Sequence, residues 1–227
     1  MKNIVDKIDD FVSINNVLLS VSDKSNLEDL VEGLIKINPD IRIFSTGGTY
    51  ARIKEILGTE KESNLTKVSD YTGQPETQGG LVKTLDYKIY LGLLTEKYNE
   101  YHAEDLTRTG AIQIDMVVVN LYPFEKTVSD DTIIVEKARA NIDIGGPTMI
   151  RASAKNYLRV ACMCDPSDYA KLIQELESNK GSLSLSTRFE LAKKAFQHTA
   201  AYDRCIADYL EKQTDAKMKE SYSIVQE

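Results

Sequence analysis

Residues 115–156 read DMVVVNLYPFEKTVSDDTIIVEKARANIDIGGPTMIRASAKN, and this stretch decides the fold. The run of branched apolar residues from Met116 to Val119 has the pattern of a buried parallel strand. It stops at a polar, aromatic and proline-containing turn, Asn120-Leu121-Tyr122-Pro123-Phe124. Such a turn carries side chains to the carboxyl edge of a sheet, where α/β proteins place their ligands. Further on, Asn141-Ile142-Asp143-Ile144-Gly145-Gly146-Pro147 sets a carboxylate beside two glycines and a helix start, and Lys155 stands near the end of that helix. Tyrosine, aspartate and lysine at such turns point to a site rather than to a core.

Outward from this stretch the chain alternates between the two periods. Residues 16–21, 41–45, 65–68, 88–94, 116–120 and 158–164 read as strands. Residues 26–37, 49–57, 97–108, 132–140, 147–155, 167–177 and 186–212 read as helices. Strands alternating with helices give an α/β fold, a parallel sheet flanked by helices. The expected organisation is an N-terminal extension over 1–15, one domain over 16–212 with C-terminal helices from about 186 packed on the sheet, and a tail over 213–227. The first and last dozen residues are expected to be loosely held.

Composition narrows the function. The chain has 227 residues and a formal net charge of -7, which argues against general binding of nucleic acid. No apolar run approaches the roughly 20 residues of a membrane span, and the acidic N-terminus MKNIVDKIDDFVSINN is not a signal peptide, so a cytoplasmic protein is expected. Cys162 and Cys164 alternate with Val160 along a strand and read as small buried hydrophobes. Only His102 and His198 are present, too few to support a zinc site or a Ser-His-Asp triad, and His198 reads as structural. The chemistry must rest on lysine, aspartate, tyrosine and backbone groups, with no metal and no cofactor.

Two more clusters carry chemistry. Ser20-Val21-Ser22-Asp23-Lys24 follows the first strand, and Ser45-Thr46-Gly47-Gly48-Thr49 follows the second and opens a helix. Hydroxyls, glycine amides, a lysine and a helix N-terminus on adjacent strand ends make a phosphate cradle. The plain reading is a strand-to-helix turn with Thr49 as its cap. Neither G-x-x-x-x-G-K-[ST] nor G-x-G-x-x-G occurs, which argues against a nucleoside triphosphate or a dinucleotide. Plain readings exist for the other residues too. Lys83 serves equally as a solvated strand-end lysine, Lys155 as a charge at a helix C-terminus, Asp143 as a helix cap and Tyr122 as a packing residue.

The pieces LLSVSDK (18–24), STGGT (45–49), VSDYTGQPE (68–76), VKTL (82–85), VVVNLYPFEKTV (117–128), NIDIGGPTMIRASAKN (141–156), CDPSDY (164–169) and KAFQHTAAYD (194–203) stand in one order. In that order the chain resembles the inosine monophosphate cyclohydrolase domain of the bifunctional purine-synthesis enzyme that also contains the aminoimidazole carboxamide ribotide formyltransferase. The resemblance implies a methylglyoxal synthase-like fold. It also implies closure of the purine ring on a formylated ribotide with loss of water, a small-molecule purine ribotide as substrate, no cofactor, a homodimer, and a separate formyltransferase as partner. By resemblance Lys83, Tyr122, Asp143 and Lys155 are catalytic. Ser22, Lys24, Thr46, Gly47, Gly48, Thr49 and Thr84 hold the phosphate and ribose side, and Asn120 also meets the substrate. The amides of Ile144, Gly145 and Gly146 are expected to meet an oxyanion on the formyl group. Asp143 is expected to accept the proton of the attacking amide, kept ionised by Lys155 and Lys83.

One stretch departs from the family pattern GRVKTLHPKIHGG. Leu81 stands where an arginine is expected, Asp86 and Tyr87 replace His-Pro, and Tyr90 and Leu91 replace His-Gly. Loss of a charge-assisted hydrogen bond costs about 1.5–3 kcal/mol of binding, and Asp86 is expected to worsen the field for an anion. Three readings follow: a cyclohydrolase with an altered phosphate grip, a silent nucleotide-binding or regulatory module of the same fold, and a methylglyoxal synthase-like lyase. The retained Tyr122, Asp143 and Lys155 favour the first.

Overall fold

A computed structural model describes residues 4–75, 77–80, 82–130 and 132–225. In chain order the first half runs β1 (Phe11–Ser13), β2 (Asn16–Val21), α1 (Leu27–Ile37), β3 (Arg42–Ser45), α2 (Gly47–Leu57), β4 (Leu65–Lys67), α3 (Val68–Thr72), α4 (Tyr87–Leu94) and α5 (Glu100–Thr109). The second half runs β5 (Met116–Asn120), α6 (Phe124–Val128), α7 (Val135–Ala140), α8 (Gly145–Lys155), β6 (Ala161–Met163), α9 (Tyr169–Ser178), β7 (Ser182–Ser184), α10 (Leu185–Glu211) and α11 (Asp215–Glu220).

Five of these strands form a parallel sheet in the order β4-β3-β2-β5-β6. From β2 the chain winds outward through β3 and β4, then returns to lay β5 against the other side of β2. That reversal opens a crevice beyond the carboxyl ends of β2 and β5, the usual place for a ligand. The sheet is buried on both faces, so the middles of its central strands are apolar on both sides and split by parity. Val17, Leu19, Met116 and Val118 belong to one core layer with Leu30, Leu34 and Ile53 of α1 and α2. Leu18, Val117 and Val119 belong to the other, with Ile89, Met149, Ile150 and Ala195 of α4, α8 and α10. Truncating one of the buried leucines, isoleucines or methionines among these to alanine costs about 2–5 kcal/mol.

Three segments differ from expectation. Residues 88–94 form helix α4, not a strand. KIYLGLL shows no clear period, but Asp86 just upstream accepts the Lys88 N–H at 2.8 Å and caps the helix. The N-terminal segment is not loose either, because β1 pairs antiparallel with β7, Val12 opposite Leu183. Arg188, fully buried at the start of α10, donates to the carbonyls of Asp9, Asp10, Tyr157, Leu158 and Leu183. A guanidinium has five N–H donors, and five carbonyls use them. At the other end, the Tyr222 hydroxyl donates to Glu136 at 2.7 Å, which anchors part of the expected tail. Among the described residues no helix is long and apolar enough to cross a membrane.

Candidate functional site

At the crevice between β2 and β5 lies a cleft of about 550 Å³ whose lining runs from Ser20 to Met149. Ser22, Lys24, Thr46, Gly47, Gly48, Thr49, Lys83, Thr84, Asn120, Tyr122, Asp143, Ile144, Gly145 and Gly146 all line it. Of the site residues expected from the sequence only Lys155 is absent from this lining. It is exposed at the last position of the eleven-residue α8, whose first turn faces the cleft. At 1.5 Å per residue it sits roughly 15 Å from Asp143 along the helix axis. Lys155, expected to hold Asp143 ionised, thus stands apart from it in the structure, and the helix C-terminal reading suits its position.

One wall of the cleft is built for an anion. Helix α2 begins at Gly47 directly after β3, its N-cap Thr46 makes no side-chain capping bond, and no acidic residue occupies the first turn. The first amides of the helix therefore point outward without an intrahelical acceptor. Two lysines reach over them. A Cβ on Gly47 would lie 3.6 Å from Lys83 Nζ, and one on Gly48 would lie 3.9 Å from Lys24 Nζ. Gly47 has φ +50°, a conformation that glycine adopts without cost and that lets the chain turn into the helix. Neither lysine takes part in an ion pair among the described residues.

A neighbouring cavity of about 620 Å³ shares Thr46, Gly47 and Lys83. Its own lysines are occupied, Lys54 by Glu62 at 2.6 Å and Lys67 over the Tyr50 ring at 5.4 Å. The convergent, unpaired donors belong to the first cleft.

Thr49 neither caps the helix nor offers its hydroxyl to a ligand. Its Oγ1 accepts the Val21 N–H and donates to the Val21 carbonyl, both at 3.0 Å, tying α2 to the end of β2. Asn120, expected to meet the substrate, lines the cleft and also serves as a clamp. Its side chain accepts from the Asp23 N–H at 2.7 Å and donates to the Asp23 carbonyl at 2.9 Å. This reciprocal pair fixes the two loops that frame the crevice.

The opposite wall carries the carboxylate. Asp143 precedes α8, and its Oδ1 accepts the Gly146 N–H at 2.9 Å, so the capping reading is correct for this residue. Its own N–H donates to the Tyr202 hydroxyl at 2.8 Å. Burial raises the Asp143 pKa above the ordinary carboxylate value, while the Gly146 and Gly145 amides pull the other way. No lysine contributes, so Lys83 does not hold it ionised as expected. The Gly145 and Gly146 amides serve the Asp143 carboxylate and are not free oxyanion donors, which leaves only Ile144 of the expected three. Thr84 abuts this turn, with Oγ1 2.7 Å from where a Cβ on Gly145 would sit. Tyr122 stands 58% exposed at the lip, its carbonyl accepting the Phe124 N–H at 2.8 Å.

The departures from the family pattern fall largely elsewhere. Asp86 is buried at the N-terminus of α4 and does not line the cleft, so its expected effect on an anionic ligand is corrected. Tyr87, Tyr90 and Leu91 lie on the same helix, and burial pushes the Tyr90 phenol up to about 12. Leu81 lies outside the described residues. Sequence reasoning missed the Gly79-Gly80 turn, with φ +71° and +64°, which seats the Lys83 stem. The adjacent glycines were its available signal. It also missed Tyr202, which entered as one letter of the matched piece KAFQHTAAYD (194–203). Among the described residues no three His, Cys, Asp or Glu side chains gather as a metal site requires.

Comparison with known proteins returns two families in succession. Residues 26–148 match the MGS-like domain, and residues 153–227 match the AICARFT/IMPCHase bienzyme. The chain is 42% identical over 213 residues to the bifunctional purine biosynthesis protein PurH of Bacillus subtilis, covering 94% of this chain and 40% of that protein. It is 44% identical over 200 residues to PurH of Acetivibrio thermocellus, covering 88% of this chain and 37% of that protein. The chain thus spans about two fifths of the length of these curated relatives. A solved structure described as ForH superposes with a TM-score of 0.70 at 32% identity, covering 86% of this chain and 97% of that one.

Proposed function

Because the chain belongs to the family of MGS-like domains, in the branch that forms the IMP cyclohydrolase portion of PurH, we propose that it cyclises 5-formamidoimidazole-4-carboxamide ribotide to inosine monophosphate. The observation that carries this reading is the pairing of two walls across one cleft. One offers uncapped helix amides and two unpaired lysines, and the other offers a carboxylate of raised pKa. A ribotide has both ends to match: a phosphate dianion, and a reacting amide whose proton must be removed.

The substrate supplies nucleophile and electrophile in one molecule. Holding them in contact converts freedom into rate, and such orientation is worth up to about 7–11 kcal/mol. The Gly47 and Gly48 amides, Lys24, Lys83 and Ser22 hold the phosphate. The carboxamide nitrogen attacks the formyl carbon, and a C–N bond forms as the formyl C=O opens to a C–O⁻. Asp143 takes the proton from that nitrogen, for which a raised pKa is suited. The oxygen takes up that proton, the formamide nitrogen gives up its own N–H, and with this second proton the C–O bond breaks, so that water leaves and a C=N double bond completes the aromatic ring. Tyr122 at the lip orients the carboxamide. The formyl group is installed beforehand by a separate formyltransferase activity.

Ultraviolet absorbance on mixing the protein with the formylated ribotide tests this. Growth of the inosine monophosphate signal, lost in Asp143→Ala and cut in Lys83→Ala, is the expected result. Tight binding of inosine monophosphate without turnover would replace the proposal with a silent nucleotide-binding module.

A further inference from the structure

Asp143 is held by a residue from outside the stretch that lines the cleft. Its backbone N–H donates to the hydroxyl of Tyr202, 59 residues later on α10. Tyr202 is buried, and its ring meets Phe124 edge-on, with centroids 6.2 Å apart and planes at 70°. Phe124 in turn donates its N–H to the carbonyl of Tyr122. The two groups to which the proposed chemistry gives work, Tyr122 and Asp143, are thus tied to one aromatic pair. That pair is anchored on a 27-residue helix whose base is fastened by Arg188.

We infer that Tyr202 is a positioning residue, which sets the Asp143 carboxylate through the backbone of its own residue. This rests on the cyclohydrolase reading for its kinetic consequence but not for its structural one. The turn from Asn141 to Ile144 has no regular structure of its own, and Ile144 is 60% exposed. Two bonds locate Asp143: the side chain to Gly146 within the turn, and the main chain to Tyr202. The second ties the turn to α10. Because Tyr202 accepts there, phenylalanine at 202 keeps the packing on Phe124 and removes only the acceptor. The C-terminal part of the chain, which matches the bienzyme family, thereby acts on a cleft lined by the part that matches the MGS-like domain.

The test compares Tyr202→Phe with Tyr209→Phe in the full chain. Tyr209 also packs edge-on against Phe124, at 5.9 Å, but its hydroxyl makes no bond to Asp143. For Tyr202→Phe, kcat should fall roughly tenfold or more, the effect of a stranded buried donor, while KM stays within about twofold. The acid limb of the pH profile and the carboxyl titration of Asp143, read by carbon-13 NMR, should both move towards the ordinary carboxylate range as water enters the loosened turn. Tyr209→Phe should change none of these. An unchanged kcat and titration in Tyr202→Phe, or an equal loss in Tyr209→Phe, overturns the inference. If the wild type shows no turnover, the proposed reaction fails, yet the Asp143 titration in the two proteins still decides whether Tyr202 positions it. Should a variant fail to fold, amide exchange at Asp143 of the wild type decides instead: slow exchange supports the bond, and fast exchange overturns it.

Discussion

Replacing Gly146 by alanine presses on the site where it is most crowded. A Cβ at this position collides with Asp143 Oδ2 and comes within 2.6 Å of Leu121 Cδ2. The backbone of Gly146 is not left-handed, so alanine meets no conformational penalty and the cost is steric. Leu121 is 8% exposed at the end of β5 and has nowhere to retreat, so the carboxylate must give way. Overpacking of this kind costs about 1–3 kcal/mol. For a domain of this size that lowers Tm by about 2–12 °C. Displacing a reacting group by about 1 Å costs on the order of a hundredfold in rate, so kcat should fall far more than stability does. Gly145→Ala is the matched comparison. Its Cβ meets only Thr84 Oγ1, a hydroxyl that turns about one bond, and a strained rotamer costs about 0.5–1.5 kcal/mol. Initial rates of inosine monophosphate formation, with thermal melts of both variants, measure the contrast. Full turnover in Gly146→Ala, or a larger loss in Gly145→Ala, would show that the rate does not depend on where the Asp143 carboxylate sits.

Three further outcomes are expected. Asp143→Asn should abolish turnover yet raise Tm near neutral pH. Burial lifts the folded-state pKa of Asp143 above its unfolded value, so its stabilising share is complete below the unfolded pKa and lost as pH rises through the folded one. Melts at neutral and at strongly acidic pH check this, the gain being present only at the former. Lys24→Ala should raise KM roughly ten- to a hundredfold with kcat nearly kept, since it removes a contact to the phosphate that is equally present before and during reaction. An unchanged KM would remove Lys24 from the phosphate site. Arg188→Met should cost about 3 kcal/mol or more by stranding buried carbonyls, and should release residues 9–13 to rapid hydrogen exchange. Retained protection there would show that the β1–β7 pairing alone holds the segment.

Much of the fold was legible because the parallel sheet writes itself as apolar runs, and the turns after 21, 45 and 120 mark the carboxyl edge with glycine, hydroxyls and tyrosine. The failures came where local pattern is silent. KIYLGLL suits a strand or a helix by composition, and only its upstream cap decides. β1 and β7 are three residues each and find one another across some 170 positions, which no local window detects. Within the site the residue types were visible but their engagements were not. Thr49, Asn120 and the Gly145-Gly146 amides are all polar groups at the cleft, yet each is occupied by a neighbour in the chain. Lys155 shows the complementary case: the sequence already placed it at the C-terminal end of α8, and only its membership of a matched motif drew it into the site.

Arg188 has a consequence for how the molecule is made. A chain is synthesised from its N-terminus, and domains fold as they emerge. The carbonyls of Asp9 and Asp10 must wait for a guanidinium roughly 180 positions later, so this segment leaves the ribosome long before its partner does. Until Ser182–Ser184 have emerged, just ahead of Arg188, β1 also lacks its only strand neighbour among the described residues, β7, and presents an open edge. A nascent chain stalled before residue 188 therefore has the central strands of its sheet but not its N-terminal closure. Such a chain should be far easier for a protease to cut at residues 9–13 than the finished one.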